Sequence, residues 1–326
     1  MQLLLDTHGL VIKKRNSSFW VQAKTTSRLI SPHRVTSIAV TSNCFLSTSA
    51  IRLAVAHQIP IYLMDGIGQT DARLWSATFG STAALRRKQV YFADSPAATA
   101  YVVELFRLKS QQQAENLRYL QNRRPSIHEP LAKCIKVLES EPFSGFLGLC
   151  LDQCTAALMG HEGTLARQYW QVLSDAMPEP LQFESRSRRP ATDTFNAALN
   201  YLYGMLYTVV ENALFAAGLD PYLGFLHADE YNAATLSFDL IEPFRPWADR
   251  WLIENALRQE IKTEHFEQRE GGYYLNRSGK QWLIPAFNGF LLEKERFRQQ
   301  DLPRRSQIYR LAADLATVLR NFEKPH

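Results

Sequence analysis

Short strand-like segments are concentrated in the first 78 residues of this 326-residue chain. They are brief, rich in β-branched and aromatic residues, and separated by turn residues such as Asn16-Ser17-Ser18. The segments are QLLLDT, LVIKK, FWVQAK, VTSIAVT, IPIYLMD and a last strand in DARLWSAT. One helix, AIRLAVAH, interrupts them, and Ser47 or Ser49 can cap it. This part of the sequence therefore predicts a small β-rich domain.

The rest of the chain has the periodicity of helices. Between residues 99 and 124, apolar residues such as Val102, Phe106 and Leu117 recur at the spacing of a surface helix. Further helices are predicted over 145–173, 193–217, 237–260 and 303–322, and Gly218 is a natural C-cap. GGYYLNRSGKQWLI, with its glycine pair and Ser278-Gly279, predicts a β-hairpin.

These patterns predict an α+β fold class. A small β-rich N-terminal domain spans 1–78, a linker spans 79–95, and a larger, mostly α-helical domain spans 96–326. The formal net charge of +5 is compatible with a nucleic-acid partner but does not require one.

The cysteines and the apolar runs indicate in which cellular compartment the protein is expected. Cys150 and Cys154 lie one helical turn apart among Leu and Ala, and no CxxC pair is present, so we expect small apolar core residues rather than a redox or metal pair. The N-terminus lacks the pattern of a signal peptide, and no apolar run has the length of a membrane span. We therefore expect a cytoplasmic protein with no membrane partner.

Charged residues occupy unusual places in the helical half. The apolar run LGLCLDQCTAALMG leads directly into Glu162, and a buried carboxylate needs a partner or a metal ion. The stretch GLDPYLGFLH ends at His227. In LSFDLIEPFRP, Ser237 can cap a short helix that places Asp239 and Glu242 at i and i+3 on one face.

Two carboxylates and one imidazole would suit Mg²⁺ or Mn²⁺ in phosphoryl-transfer chemistry. Other interpretations remain open from the residues alone. Glu162 could pair with Arg167 or lie exposed, and Asp239 and Glu242 could complement a helix dipole. A site that uses both His161 and Glu162 is disfavoured, because adjacent helical residues point about 100° apart.

The chain resembles the Cas1 family of CRISPR-associated integrases over essentially its whole length. The resemblance lies in five segments in order: STSAIRLAVAHQIPIYLMDGIGQTDARLW, GHEGTLARQYW, RRPATDTFNAALNYLYGML, GLDPYLGFLH and LSFDLIEPFRP. It implies a dimerising β-rich N-terminal domain, an α-helical catalytic domain and a homodimer. It also implies a small partner protein, Cas2, in a complex that captures short DNA fragments and inserts them into a CRISPR array as new spacers.

The resemblance further implies a metal site. Its ligands would be Glu162, His227 and Glu242, and Asp239 lies where a further acidic residue assists the site and could share the metal. A 3′-hydroxyl of the captured DNA would attack a phosphodiester at the repeat boundary, and water in its place would give endonuclease activity. Arg245 could add positive charge there, or it could pair with Asp239 or Glu242.

The resemblance also suggests uses for the basic and aromatic residues. Basic clusters give salt-sensitive, sequence-independent binding to phosphates, and aromatic side chains can stack on bases, although solvated charge and core packing are the alternatives. Asn196 would be a donor that supports the site. The basic candidates are Arg86, Arg87, Lys88, Arg123, Arg124, Arg186, Arg188 and Arg189, and the aromatic candidates are Tyr169, Trp170, Tyr201 and Tyr203.

Two other functions stay open at this point. One is a noncatalytic DNA-binding scaffold, and the intact set of Glu162, His227 and Glu242 argues against it. The other is a stand-alone metal-dependent DNA-repair nuclease, which would release fragments rather than join strands.

Overall fold

The computed structural model divides the chain into two compact units, Met1–Phe79 and Gly80–His326. It describes residues 2–24, 26–35, 37–64, 70–74, 76, 83–140, 143–227, 233–269 and 271–323. Strands dominate the first unit and helices the second, so the predicted α+β class, with a small β-rich part before a larger helical part, is confirmed.

The first unit contains two four-stranded sheets, a mixed sheet that is mainly parallel and a second sheet that is mainly antiparallel. The mixed sheet has the order β1 (Gln2–Leu5), β5 (Ser37–Val40), β7 (Ile61–Met64) and β8 (Thr70–Leu74). Its first three strands are parallel, and β8 runs antiparallel to β7. The second sheet has the order β4 (Ser27–Ile30), β3 (Ser18–Gln22), β2 (Val11–Arg15) and β6 (Phe45–Leu46). Part of the predicted strand DARLWSAT lies outside the described residues.

A turn and a helix cap that the sequence predicts are present in the first unit. Asn16 and Ser17 both have positive φ, 48° and 60°, which is the geometry of a tight hairpin turn between β2 and β3. Ser47 caps α1 (Thr48–Ala56), because its Oγ accepts a hydrogen bond from the backbone N–H of Ala50 at 3.2 Å. Apolar residues from both sheets and α1 share one core.

Helices build the second unit. Their bounds are α2 (Ala83–Ala93), α3 (Pro96–Gln121), α4 (His128–Leu138), α5 (Leu151–Ala176), α6 (Thr194–Ala216), α7 (Thr235–Leu240), α8 (Arg245–Leu257), α9 (Arg277–Leu292) and α10 (Arg304–Asn321). Much of the predicted linker 79–95 is α2, which packs against α3 and α10. None of the helices in the described part of the chain is long and apolar enough to cross a membrane.

The predicted helix over 237–260 is not continuous. After α7 the chain forms a 3-10 turn, Glu242–Phe244, before α8 begins. Pro243 causes the break, because it lacks a backbone N–H and restricts the residue before it. Ser237 does not cap this segment as predicted, since it lies inside α7 with its hydroxyl buried and without a hydrogen-bond partner.

The predicted hairpin in GGYYLNRSGKQWLI is displaced along the chain. The strands that pair are β9 (Phe266–Arg269) and β10 (Gly272–Leu275), so the hairpin lies mostly before the predicted one. Ser278-Gly279 forms the first turn of α9 instead, because the Asn276 side chain caps the N–H of Gly279 at 3.0 Å. A second hairpin pairs β11 (Lys294–Phe297) with β12 (Gln300–Pro303).

Helix α3 lies at the centre of the second unit. It packs against α4, α5, α7, α8 and the 3-10 turn at Glu242. Its buried face is partly polar and includes Lys109, Gln113 and Asn116. Buried polar groups require partners, so this face is where a polar site is expected.

Candidate active site

The carboxylates of Glu162 and Glu242 converge on the ammonium of Lys109. Lys109 Nζ lies 2.5 Å from Glu162 Oε1 and 2.6 Å from Glu242 Oε2. The three residues come from the middle of α3, the middle of α5 and the 3-10 turn after α7. The partner of Glu162 is therefore Lys109 rather than Arg167, whose guanidinium donates to Thr164 Oγ1 at 3.1 Å.

Burial and the neighbouring charges shift the pKa values of this cluster in opposite directions. Burial alone would raise the pKa of Glu242, but the positive charges of Arg245 and Lys109 lower it to about 2. Burial would likewise lower the pKa of Lys109, and the carboxylates of Glu242 and Glu162 reverse that effect and raise it. Glu242 is therefore ionised, and Lys109 is protonated, at neutral pH.

Arg245 holds the other oxygen of Glu242. Its Nε lies 2.8 Å from Glu242 Oε1 as an ion pair, without donating a hydrogen bond, and a terminal nitrogen donates to the Tyr207 hydroxyl at 2.5 Å. The guanidinium also lies 4.9 Å from the ring centroid of Tyr203. Of the two acidic partners considered from the sequence, Arg245 takes Glu242 and not Asp239.

His227 and Asp239 form a second part of the site. His227 Nδ1 lies 2.8 Å from Asp239 Oδ1. Burial would lower the pKa of His227, but its hydrogen bond to Asp239 and the charge of that carboxylate raise it overall. With Nδ1 engaged in this way, Nε2 is the ring nitrogen that remains for a metal ion.

The carboxylate of Asp239 accepts hydrogen bonds from the backbone of the loop that carries His227. Its oxygens accept backbone N–H bonds from Phe225 at 2.6 Å, Leu226 at 3.1 Å and His227 at 3.2 Å, besides the contact with the imidazole. The residue is almost fully buried. These contacts let Asp239 orient the loop and the imidazole, and the expectation that it could share the metal stays a prediction.

Two backbone contacts, at Leu219 and at Gly224, hold the segment that leads to His227. It follows Gly218, which has φ +79° and ends α6 as predicted; Leu219 N–H bonds to Leu214 O at 3.0 Å. It then meets α7, where Gly224 N–H donates to Thr235 Oγ1 at 3.0 Å. A Cβ at Gly224 would lie 2.7 Å from that hydroxyl, so only glycine permits this approach.

The donor set fits a divalent cation. Two carboxylates already share one positive charge, the ammonium of Lys109, and His227 lies close enough for its charge to lower the pKa of Glu242. Oxygen donors with one imidazole are the ligands that suit Mg²⁺ or Mn²⁺. Within the described ranges, however, no three His, Cys, Asp or Glu side chains lie close enough to hold a metal together. A metal ion held by Glu162, His227 and Glu242 therefore stays a prediction.

A buried network lies behind the site. Asp249 accepts hydrogen bonds from Tyr203 at 2.7 Å and Tyr169 at 3.2 Å, and Asn116 donates to Tyr169 at 3.3 Å and to Pro246 O at 2.8 Å. Tyr169 is fully buried. Its predicted use in base stacking is corrected, because its ring cannot reach a base from this position.

Asn196 is also a structural residue. It is fully buried, accepts from the Ser187 N–H at 3.0 Å and Arg186 at 2.8 Å, and donates to Ser185 O at 2.8 Å and Asp193 at 2.7 Å. These bonds brace the loop before α6, while the role of Asn196 as a donor that supports the site and that of Arg186 as a phosphate contact stay predictions.

The remaining basic candidates differ in their surroundings. Arg86 lies 3.5 Å from Asp220, and Lys88 donates to the carbonyl of Arg320 at 2.5 Å. Arg123 stacks over the ring of Tyr119 at 3.7 Å. The candidates that stay exposed to solvent include Arg87, Arg188 and Arg189.

Sequence reasoning missed Lys109, Asn116 and Asp249. A signal for the first two existed in LFRLKSQQQAEN, where Lys109, Gln113 and Asn116 recur at i, i+4 and i+7 along a helix. A polar stripe at that spacing indicates a shared face, which here is buried.

A family model described as CRISPR associated protein Cas1 matches residues 3–289. A relative from Archaeoglobus fulgidus, named CRISPR-associated endonuclease Cas1 1, is 28% identical over 334 residues, covering 98% of this chain and 96% of the relative. Another from Rhodospirillum rubrum, named CRISPR-associated endonuclease Cas1 2, is 30% identical over 251 residues, covering 74% of this chain and 72% of the relative.

Solved structures share the fold. A casposase bound to an integration product has a TM-score of 0.83 at 23% identity, covering 99% of this chain and 92% of that one. A Cas1 protein from Thermotoga maritima has a TM-score of 0.80 at 20% identity, covering 99% and 98%. A Cas6-RT-Cas1–Cas2 complex has a TM-score of 0.78 at 21% identity, covering 98% of this chain and 35% of that one.

Proposed function

Since the chain belongs to the Cas1 family of CRISPR-associated proteins, we propose that it is a metal-dependent DNA integrase and endonuclease of spacer acquisition. The observation that carries this proposal is the convergence of Glu162 and Glu242 on one cation, beside the oriented His227–Asp239 pair. Relatives named as CRISPR-associated endonucleases, and the fold shared with a casposase bound to an integration product, support it.

The proposed metal is Mg²⁺ or Mn²⁺, held by Glu162, His227 and Glu242. When bound, such a cation stabilises charge on a phosphate and assists deprotonation of a hydroxyl. Asp239 engages Nδ1 of the imidazole, which leaves Nε2 for the proposed metal, and its backbone contacts hold the loop at the same time.

The proposed reaction joins DNA strands by transesterification. The 3′-oxygen of a captured fragment attacks the phosphorus of a repeat-boundary phosphodiester. The attacking hydroxyl loses its proton, a new P–O bond forms, the bond from phosphorus to the 3′-oxygen of the target strand breaks, and that oxygen takes up a proton to leave as a 3′-hydroxyl. Arg245, held beside Glu242 and Tyr203, adds positive charge near the phosphate. Water as the nucleophile gives hydrolysis through the same site.

The proposed partners are DNA, a second copy of this chain through the N-terminal unit, and the small protein Cas2. Support for Cas2 comes from the shared fold with the Cas1 part of the solved Cas1–Cas2 complex. The exposed positive charges of Arg87, Arg188 and Arg189 support sequence-independent binding to captured fragments of varied sequence.

A strand-transfer assay tests the proposal. The protein, with and without its cognate Cas2, is mixed with a labelled duplex carrying 3′-hydroxyls and a plasmid bearing the repeat, in Mg²⁺, Mn²⁺ or EDTA. We expect metal-dependent joining that falls about 100-fold or more in Glu162→Gln, His227→Asn and Glu242→Gln. His161→Ala is the matched control, because its exposed ring packs edge-on against Phe146 at 5.4 Å.

The products separate the other functions. Cleaved fragments without joined strands, even with Cas2 and the repeat, would indicate a stand-alone nuclease. DNA binding with neither product in any metal would contradict the catalytic proposal and leave a scaffold.

A further inference from the structure

Lys109 occupies the position between the two carboxylates that the proposed function assigns to a divalent cation. Its Nζ contacts one oxygen of Glu162 at 2.5 Å and one of Glu242 at 2.6 Å. The side chain reaches this point from the middle of α3 and is almost fully buried. No other basic residue among those described contacts both carboxylates.

The charges at this point are balanced without a metal. Glu162 and Glu242 each contribute one negative charge, and Lys109 and Arg245 each contribute one positive charge within ion-pair distance. Arg245 is also held by Tyr207 and lies over Tyr203, whereas Lys109 has a flexible stem, so Lys109 is the cation that can move.

A divalent cation cannot simply be added to this set. A metal ion bound to the same carboxylates would lie within a few ångströms of the ammonium, and like charges at that separation repel strongly in a buried site. Lys109 also occupies one oxygen of each carboxylate, Oε1 of Glu162 and Oε2 of Glu242. Metal binding and the Lys109 contacts therefore exclude each other.

We propose that Lys109 is a positioning residue that holds Glu162 and Glu242 together in the metal-free protein and is displaced when the divalent cation binds. This inference rests on the proposed metal-dependent function and adds a regulatory step to it. Lys109 keeps two like-charged carboxylates close to each other, so the site stays assembled between metal-bound states. It also makes the apparent metal affinity lower than the intrinsic affinity of the ligands.

Removal of the Lys109 ammonium tests whether it holds the two carboxylates together and whether it lowers the apparent metal affinity. Lys109→Met keeps the length and apolar stem of the side chain but not the charge. In EDTA we expect its thermal midpoint to fall, because the carboxylates lose their counter-ion. If Lys109 occupies the site nine-tenths of the time, Mn²⁺ affinity measured by the free-ion EPR signal should tighten about tenfold. Lys109→Arg should keep weak binding, and Lys133→Met, exposed on α4, is the matched control.

The wild-type protein provides a test that needs no variant. Amine acetylation followed by mass spectrometry should modify Lys109 slowly in EDTA and faster in saturating Mn²⁺, while Lys133 reacts equally in both. Two results would overturn this inference but not the proposed function. One is Mn²⁺ binding that leaves the labelling of Lys109 unchanged. The other is a Mn²⁺ affinity of Lys109→Met that is equal to or weaker than that of wild type. Absence of Mn²⁺ binding in every protein, with no strand transfer, would overturn the proposed function as well.

Discussion

The imidazole of His227 and the carboxylate of Asp239 form a hydrogen-bonded pair, with Nδ1 2.8 Å from Oδ1. The same carboxylate collects the backbone N–H groups of Phe225 and Leu226. One buried side chain therefore sets both the path of the loop and the orientation of the ring at its end.

Asp239→Asn should impair function and stability together. An amide has one acceptor oxygen, so either the backbone donors or the imidazole loses a partner. We expect strand transfer to fall about 10- to 100-fold and the free energy of unfolding to fall by about 1–3 kcal/mol. Transfer rates and urea unfolding measure these effects. Asp175→Asn, exposed near the end of α5, is the control, and a normal transfer rate in Asp239→Asn would contradict the orienting role.

The stability of the protein should depend on pH through Asp249. Burial raises the pKa of Asp249 to about 6, although hydrogen bonds from Tyr203 and Tyr169 lower it. The folded state thus binds this proton more tightly than the unfolded chain, where Asp has a pKa of about 3.9. Its stabilising contribution is complete below about pH 4 and is lost as pH rises through about 6, a change of roughly 3 kcal/mol.

Urea unfolding from pH 4 to 7 measures this effect. Asp249→Asn has no carboxyl group to titrate, so the difference in unfolding free energy between wild type and variant should change across that range. A constant difference would show that Asp249 does not take up a proton on folding.

Tyr169→Phe distinguishes a core residue from a base-stacking residue. Loss of the hydroxyl removes a donor from Asp249 and a partner from Asn116, so we expect a stability loss of about 1–2 kcal/mol. DNA affinity should not change. A stacking role would instead weaken DNA binding by about 1–3 kcal/mol, which fluorescence anisotropy would detect. Tyr309→Phe on α10 provides the control for loss of a tyrosine hydroxyl.

The exposed arginines should govern the salt dependence of DNA binding. Replacing Arg87, Arg188 and Arg189 together with Gln should make the slope of log affinity against log salt shallower by up to about 0.9 for each phosphate contact that is lost. Lys133→Gln, with a side chain 77% exposed on α4, is the control. A slope equal to that of wild type would exclude these three residues from the DNA surface.

Much of the fold could be predicted because its signals are local. Strand and helix periodicities separate at the boundary between the two units, and Ser47 and Gly218 act as helix caps as their sequence positions indicate. Errors arose where two local signals compete. Asn276 caps a helix in a stretch that also has hairpin turn residues, and Pro243 divides an apolar pattern that otherwise suits one helix.

The charged residues of the site could be predicted from the sequence, but the ion pairs that they form could not. Glu162, His227, Asp239 and Glu242 stand out because charge there interrupts apolar stretches. Lys109 reaches Glu162 across 53 residues and Glu242 across 133 residues of sequence, and no periodic pattern encodes contacts of that range. The burial of Tyr169 and Asn196 likewise depends on which helices pack around them.

The separation of Glu162, His227 and Glu242 along the chain also has a consequence during protein synthesis. A nascent chain that has emerged as far as residue 226 carries Glu162 but neither His227 nor Glu242. Even after residue 242 has left the ribosome, α5, the loop before α7 and the 3-10 turn must dock around α3 before the groups meet. Translation products that end before residue 227 therefore lack two of the three proposed metal ligands, and longer ones that end before residue 242 lack one.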